Sequence, residues 1–472
     1  MQSKIFERGV IFASMLVFVF SSLPSVSMAA TLEELLIEKG VITREELQQI
    51  KAEEAVNSAK EEQRIQAEVE QEVDAKVAEK LESDFPVKAS WGKKGFRLET
   101  RDGNWATNLQ WRAQMRYSYP FNGDPRTISQ FNANESSNFE LRRVRMKIGG
   151  HGYRPWIKYY FEVDLQPSRD VDDSSTASSS RLIDWRITLD KYKWAALRVG
   201  QWKINYNRER VDSSGRQQFV ERSIVNRQFT VDRQVGALLM GRVLPGTYAD
   251  FRYYAGVFNG KGRSVNNPTD DMMWMGRFQW NFLGRDLKWK QSDTKYHEKP
   301  AGSLSFAAAS VIGPCTRWSS SGCGNLSGFA SPATAGNRQF KVEQMQQGAA
   351  FKWRGFSLQE EFHWKTIVDR VNNTRTHMTG SYAQAGYFFH NLVSIVPAPL
   401  ELAFRYAFVD EPNGNDISVT NTRQEFTTAL NWFFAGHNNK LTLDFSYLTL
   451  KDRLVNQRVS DERVRFQWDV SF

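Results

Sequence analysis

From about residue 105 onward the chain alternates. In "NLQWRAQMRYSYP", residues 108–120, the odd positions from Leu109 to Tyr119 are apolar or aromatic, while Arg112, Gln114 and Arg116 take the even ones. "WIKYYFEVDLQ" sets Ile157, Tyr159, Phe161, Val163 and Leu165 against Lys158, Glu162, Asp164 and Gln166. "LIDWRITLD" sets Ile183, Trp185, Ile187 and Leu189 against Asp184, Arg186 and Asp190, and "LAFRYAF", "LTLDFSY" and "RVRFQWDVSF" repeat the pattern. A period of two places successive side chains on opposite faces of a strand. Each run is about ten residues, the length of a tilted strand crossing a bilayer.

The connectors alternate in length as well. Long polar stretches fall near 122–138, 167–181, 203–234, 260–271, 312–347, 366–379, 410–424 and 451–462, with generally shorter ones near 149–156, 190–194, 244–248, 284–301, 353–356, 390–399 and 435–440. Eight long and seven short connectors separate sixteen strands. The expected fold is therefore all-β, a 16-stranded antiparallel transmembrane β-barrel in a bacterial outer membrane. A soluble sandwich or propeller would alternate too. Against it stand the Trp and Tyr residues gathered at strand ends and a final strand, Val464, Phe466, Trp468, Val470, that stops on aromatic Phe472. Phe472 is the expected membrane-assembly signal, read by the barrel-assembly machinery.

Upstream the period changes. Lys4 and Arg8 precede "GVIFASMLVFVF", and small residues follow in "SSLPSVSMAA", the three zones of a signal peptide with cleavage expected after Ala29. "TLEELLIEKGVITREELQQI" predicts a short helix, a break at Gly40 and a second helix opened by the capping pair Thr43 and Glu46. The second helix continues past Leu81 with Ile65, Val69, Val73, Val77 and Leu81 every fourth residue, a spacing that drifts off a heptad seam. A coiled coil and a solvated periplasmic spacer both remain open. The expected division is signal peptide 1–29, acidic helical segment 30–84, linker 85–104 around Pro86, and barrel 105–472.

Charge sharpens the division. Residues 30–89 hold 8 Lys/Arg against 16 Asp/Glu, whereas Ser90 onward holds 52 against 36, a net +16 within a total of +9. Nucleic acid is an improbable partner for an exported chain, which leaves small anions, lipid phosphates or a plain solvated basic surface. The two cysteines, Cys315 and Cys323, lie in the Ser/Gly-rich "GPCTRWSSSGCGNLSG" and are expected to form a disulfide; two thiolates without a nearby His make a poor metal site. No cofactor motif, Gly-rich phosphate loop or zinc pattern occurs.

In a membrane barrel the apolar face meets lipid and the polar face the lumen. That directs Arg112, Arg116, Arg143, Arg145 and Lys147 inward as a lumen ladder, joined by Arg186, Arg405, Arg463 and Arg465. Asp164, Asp184, Asp190 and Asp444 face the same way and could pair with them as wall structure. The loop "KINYNRERVDSSGRQQFVERSIVNRQFTVDRQ", residues 203–234, adds Arg208, Arg210, Arg216, Arg222, Arg227 and Arg233 and the hydroxyls of Ser213 and Ser214. So many cations repel one another unless the loop meets carboxylates or anions.

"FELRRVRMKIGGHGYRPWIKYYFEVDL", "LRVGQWKINYNRERVDSSGRQQFVERS" and the aromatic last strand resemble the phosphate-selective porin O and P family over roughly 91–472. The resemblance implies a trimer of sixteen-stranded barrels whose third external loop folds inward as a constriction. It also implies that Arg210 is a basic constriction residue, that Ser213 and Ser214 donate to the anion, and that Arg222 closes the loop. Asp212 is an acidic departure beside the serines. The expected function is passive diffusion of small anions, phosphate or related oxyanions, through an arginine-lined lumen. The alternative is a structural protein that spaces the outer membrane from the cell wall through the N-terminal helix. A barrel lipid hydrolase would need a Ser and His pair on the outer face, and of the histidines His151, His363 and His390 none has an identifiable serine partner.

Overall fold

The computed structural model describes residues 32–84, 87–92, 95–120, 124–131, 136–166, 181–319 and 322–472; the expected signal peptide lies outside them. The chain forms two compact units, residues 1–85 and 86–472.

In the first unit, α1 (Leu32–Glu38) stops before Gly40, whose φ of +67° suits a residue without a Cβ. The following α2 (Arg44–Asp84) opens on a reciprocal cap: the Thr43 amide donates to the Glu46 carboxylate at 2.8 Å, and the Glu46 amide to Thr43 Oγ1 at 3.2 Å. Ile65, Val69, Val73 and Val77 remain half exposed.

The second unit begins with β1 (Val87–Gly92) and β2 (Gly95–Thr100). Then come β3 (Ala106–Tyr119), β4 (Asn138–Gly152), β5 (Arg154–Asp164), β6 (Arg181–Tyr192), β7 (Ala195–Lys203), β8 (Arg233–Val243), β9 (Phe251–Phe258), β10 (Met273–Trp280) and β11 (Ala301–Gly313). A small hairpin, β12 (Arg317–Ser319) with β13 (Gly322–Gly324), precedes β14 (Phe340–Trp353), β15 (Phe356–Asp369), β16 (Thr374–Tyr387), β17 (Leu400–Pro412), β18 (Thr420–Phe433), β19 (Asn439–Asp452) and β20 (Gln457–Ser471). Leaving aside β1, β2 and the small hairpin, sixteen strands pair antiparallel with their neighbours, and β20 closes on β3 from Val464↔Tyr119 to Ser471↔Arg112. Closure gives each of these sixteen strands a neighbour on both sides, which removes the open edge that a bilayer does not tolerate.

The stretch 85–104, expected to be a linker, instead carries the β1–β2 hairpin, and β2 continues the ladder on β3 from Phe96↔Leu109 to Glu99↔Ala106. The ladder passes from β20 to β2 at the C-terminus, where the Phe472 amide donates to Trp111 O at 2.9 Å. Three connectors expected to be long, near 366–379, 410–424 and 451–462, shrink to residues 370–373, 413–419 and 453–456. Strand pairing runs on to Asp369↔Thr374, Pro412↔Thr420 and Asp452↔Gln457.

Alternation places Trp111, Met115, Phe278, Phe306, Met345, Phe404 and Phe466 on the exposed outer face. The inner face departs from a uniformly polar wall. At the long-loop end, inward residues of β10 to β19 are apolar and buried, including Met273, Val311, Phe340, Val342, Ile367, Met378, Val409 and Leu450. Ile224, Val225 and Phe229 of the 203–234 loop and Trp318 of the β11–β14 connector pack on them. Folded-in loops replace lumen water there, and each large apolar side chain so buried contributes about 1.5 to 3 kcal/mol.

Candidate functional site

The β7–β8 loop leaves the wall at Lys203 and returns at Arg233, and its contacts lie on the inner faces of strands around much of the barrel. Gln218 Nε2 donates to Ser357 Oγ at 2.9 Å and to Glu401 at 2.8 Å, and the Val220 amide donates to Asp444 at 2.9 Å. The Ile224 amide donates to Glu425 at 2.9 Å, and Gln344 Nε2 to Phe229 O at 2.9 Å. Two inward glycines of β16 make room for it: a Cβ at Gly386 would lie 2.1 Å from Gln218 Nε2, and one at Gly380 would lie 2.6 Å from the Phe229 ring. Alanine at Gly380 would press on the Phe229 ring, and at Gly386 it would displace the ends of the Gln218 and Glu401 side chains.

Between this loop and the β3–β5 wall lies a small cleft of about 30 Å³. Arg142, Arg143 and Arg145 line it from β4; Lys203, Arg210, Arg222 and Arg233 line it from the loop and its hinges. Asp164, Gln166 and Ser214 complete the lining. Two consecutive arginines can both point inward because β4 carries a bulge: Gln114 pairs with Arg143 but Met115 with Leu141, leaving Arg142 as the extra residue.

Most of these cations have carboxylate partners. Arg145 donates to Asp164 at 2.9 Å and to Glu162 at 3.0 Å, Arg210 grips Asp232 at 2.6 Å, and Arg233 Nε donates to Asp184 at 2.6 Å. Arg112 meets Asp469 at 2.8 Å and donates to Ser214 Oγ at 3.0 Å. Glu221 is a hub: one carboxylate oxygen accepts from Arg116 at 2.7 Å, Arg142 at 3.0 Å and Arg143 at 3.5 Å. Burial pulls the Glu221 carboxyl upward, but Arg143, Arg116 and Arg142 together hold it well below the ordinary carboxylate range. Arg222 and Lys203 differ. Arg222 donates to the backbone carbonyls of Glu209 at 2.7 Å and Asp212 at 2.6 Å, and Lys203 Nζ to Arg210 O at 3.2 Å, so these bonds leave their charges unneutralised. Burial lowers Arg222 to about 9, with Arg210 adding to the effect, which still leaves it protonated at neutral pH.

The residues singled out from sequence divide accordingly. Arg210, Ser214 and Arg222 border the cleft with Arg143 and Arg145. Ser213 accepts from the Gly215 amide at 3.4 Å, and Arg227 lies on the short helix Ile224–Phe229, where its charge acts on Asp124. Arg112 and Arg116, expected to face water, are buried in pairs with Asp469 and Glu221. Arg143 pairs with Glu221 and Arg145 with Glu162 and Asp164 in the same way, whereas Lys147 reaches only the Gln110 side chain, at 3.5 Å. Sequence reading missed Arg142, whose signal is the double arginine in an alternating strand, and Glu221, the acid that such a cationic loop requires. Cys315 and Cys323 are joined by a disulfide next to Trp318, whose Nε1 donates to Gly260 O at 2.9 Å. His363 faces inward, stacked on Phe229, which removes it from any outer-face catalytic pair.

Two acids of the loop oppose the cationic field. Burial raises Glu209, which accepts from the Ser223 amide and hydroxyl at 2.7 and 2.8 Å, to about 7, against the pull of Arg405. Burial raises Asp212 as well. A carboxyl raised in the folded chain favours folding below its ordinary value and loses that contribution as pH rises through about 7. The same titration changes lumen charge. Between pH 8 and pH 6 the preference for anions in bilayer recordings should rise as Glu209 takes up its proton, and Glu209→Gln should flatten that step. A step of equal size in the variant would assign it elsewhere.

A closed sixteen-stranded barrel with its longest described loop folded against the inner wall defines an outer-membrane channel of the porin class. The chain belongs to the phosphate-selective porin O and P family, whose profile matches residues 111–472. Among solved structures it is similar to the outer membrane channel DcaP of Acinetobacter baumannii, with a TM-score of 0.50 at 12% identity over 78% of this chain and 97% of that one. It is also similar to an anion-selective porin from Comamonas acidovorans, with a TM-score of 0.49 at 11% identity over 78% and 99% of the two chains. At such identities the likeness speaks for the fold alone. No curated protein sequence matches the chain.

Proposed function

We propose that the protein is a passive outer-membrane channel for small anions, phosphate or related oxyanions, with the 203–234 loop as its constriction. The observation that carries this reading is the cleft in which Arg222 and Lys203, bonded to neutral carbonyls, stand beside Arg142, Arg143 and Ser214. Guanidinium groups offer planar pairs of donors that match oxyanions, and a cationic lumen concentrates anions and repels cations. Arg210 and Ser213 act in this reading as supports of the loop, Arg210 through Asp232 and Ser213 through Gly215. Arg227 belongs to the field around the loop. Assembly as a homotrimer and recognition of the strand ending in Phe472 by the barrel-assembly machinery go with the same reading. Recordings of the purified protein test it. Reversal potentials should favour anions, and phosphate should block chloride current; cation preference overturns the channel's anion role, and absence of block removes phosphate.

A further inference from the structure

The connector between β10 and β11, residues 281–300, sits at the short-turn end of the barrel, where β14 and β15 are joined by Arg354 and Gly355 alone. It does not stay outside. Gln291, Ser292 and Asp293 are almost completely buried. The Gln218 amide donates to Gln291 Oε1 at 2.7 Å and Gln291 Nε2 donates to Gln217 Oε1 at 2.8 Å, so the connector meets the tip of the constriction loop from below. Arg208 Nη2 donates to Lys288 O at 2.6 Å, and the Arg208 and Arg277 guanidiniums lie 5.3 and 5.0 Å from the Trp289 ring centre. On the other flank Ser292 Oγ donates to Glu401 at 2.8 Å and Lys352 Nζ donates to Ser292 O at 2.8 Å. The Gly355 amide donates to Asp293 at 3.0 Å and the Arg354 amide to His297 O at 2.9 Å, which pins the connector to the β14–β15 turn.

What it covers is chemically distinct from the opposite wall. Glu401 accepts from Ser292 of the connector and from Gln218 and Asn431. Glu361, with His363 Nε2 3.7 Å away, is capped by the Arg208 and Glu209 amides and the Asn207 side chain of the loop segment that the connector holds through Arg208. Two carboxylates that take no direct Arg or Lys salt bridge among the described residues would, if open to lumen water, draw cations. The hydrophobic packing of Ile224, Val225 and Phe229 fills the same side at the long-loop end.

We propose that the connector is a fixed floor that closes the β10–β19 side of the lumen, seals Glu401 directly and Glu361 through its hold on Arg208 from the permeation path, and confines permeants to the arginine-bearing β3–β8 side. It is thus a specificity-determining element, acting by covering acids rather than by supplying cations. The inference rests on the channel reading above, and failure of that reading shows separately, as cation preference in the unaltered protein.

The test uses the full chain in planar bilayers, with residues 286–297 replaced by Gly-Asn-Gly. Single-channel conductance should rise about twofold or more and the anion-to-cation permeability ratio should fall about threefold or more, because a second and acidic path opens. The pair Trp289→Ala with Gln291→Ala, which keeps the connector but releases its anchors, should move both quantities in the same direction by a smaller factor and serves if the shortened chain fails to assemble. Folded barrels of the double variant with unchanged conductance and ratio overturn the proposal. So does a rise in conductance with no fall in the ratio.

Discussion

Replacing Glu221 by Gln should strengthen phosphate block of chloride current about tenfold while lowering the stability of the barrel. The Glu221 carboxylate sits against Arg116, Arg142 and Arg143, and neutralising it leaves three guanidiniums with one less negative partner beside the cleft. A tenfold change corresponds to about 1.4 kcal/mol, well within the roughly 4 kcal/mol that two unit charges 4 Å apart exchange at an effective dielectric of 20. Stability should move the other way. Removing one partner of a buried ion pair costs about 3 to 5 kcal/mol, and partial exposure of Glu221 reduces this to about 2. The stability arm is checked by denaturant midpoints of the detergent-solubilised barrel. Weaker block in a folded variant would show that Glu221 positions the arginines for the anion rather than competing with it.

Arg222→Ala should weaken phosphate block by about tenfold or more, because it removes both a charge and the bracket on the loop backbone. The guanidinium spans the carbonyls of Glu209 and Asp212, so its loss frees the turn that carries Ser213 and Ser214. Arg222→Lys separates the two contributions. Lysine restores the charge but has no planar fork to hold two carbonyls, so block should recover in part while its voltage dependence stays altered. Unchanged block in Arg222→Ala would remove Arg222 from the binding site.

Much of the wall was legible one residue at a time. The parity of Leu109 to Tyr119 placed Arg112, Gln114 and Arg116 on one face, and the structure keeps them there. The pair Thr43 and Glu46 announced the start of α2 to the residue. Both are local signals: a period of two and a cap across three residues depend only on backbone geometry. Arg142 was not legible, since a bulge reverses the facing of one residue and leaves no mark in an alternating pattern beyond the doubled arginine. The inward apolar patch of Met273, Phe340 and Ile367 was not legible either, because a parity that reads as lipid-facing or lumen-facing changes meaning once a loop is folded inside.

The partners of each charge lay further out of reach. Arg112 meets Asp469 and Arg116 meets Glu221, residues far along the chain that become neighbours only when β20 closes on β3 and the 203–234 loop turns inward. The sequence by itself determined the strand count, the lipid-facing stripe and the cationic character of the loop, because these follow from periodicity and composition. Only the tertiary structure decided which cations are neutralised and which are bonded to carbonyls. It also decided that the 281–300 connector rises to meet the loop. An electrostatic environment is a sum over distances, and distances between remote residues exist only after the barrel has closed.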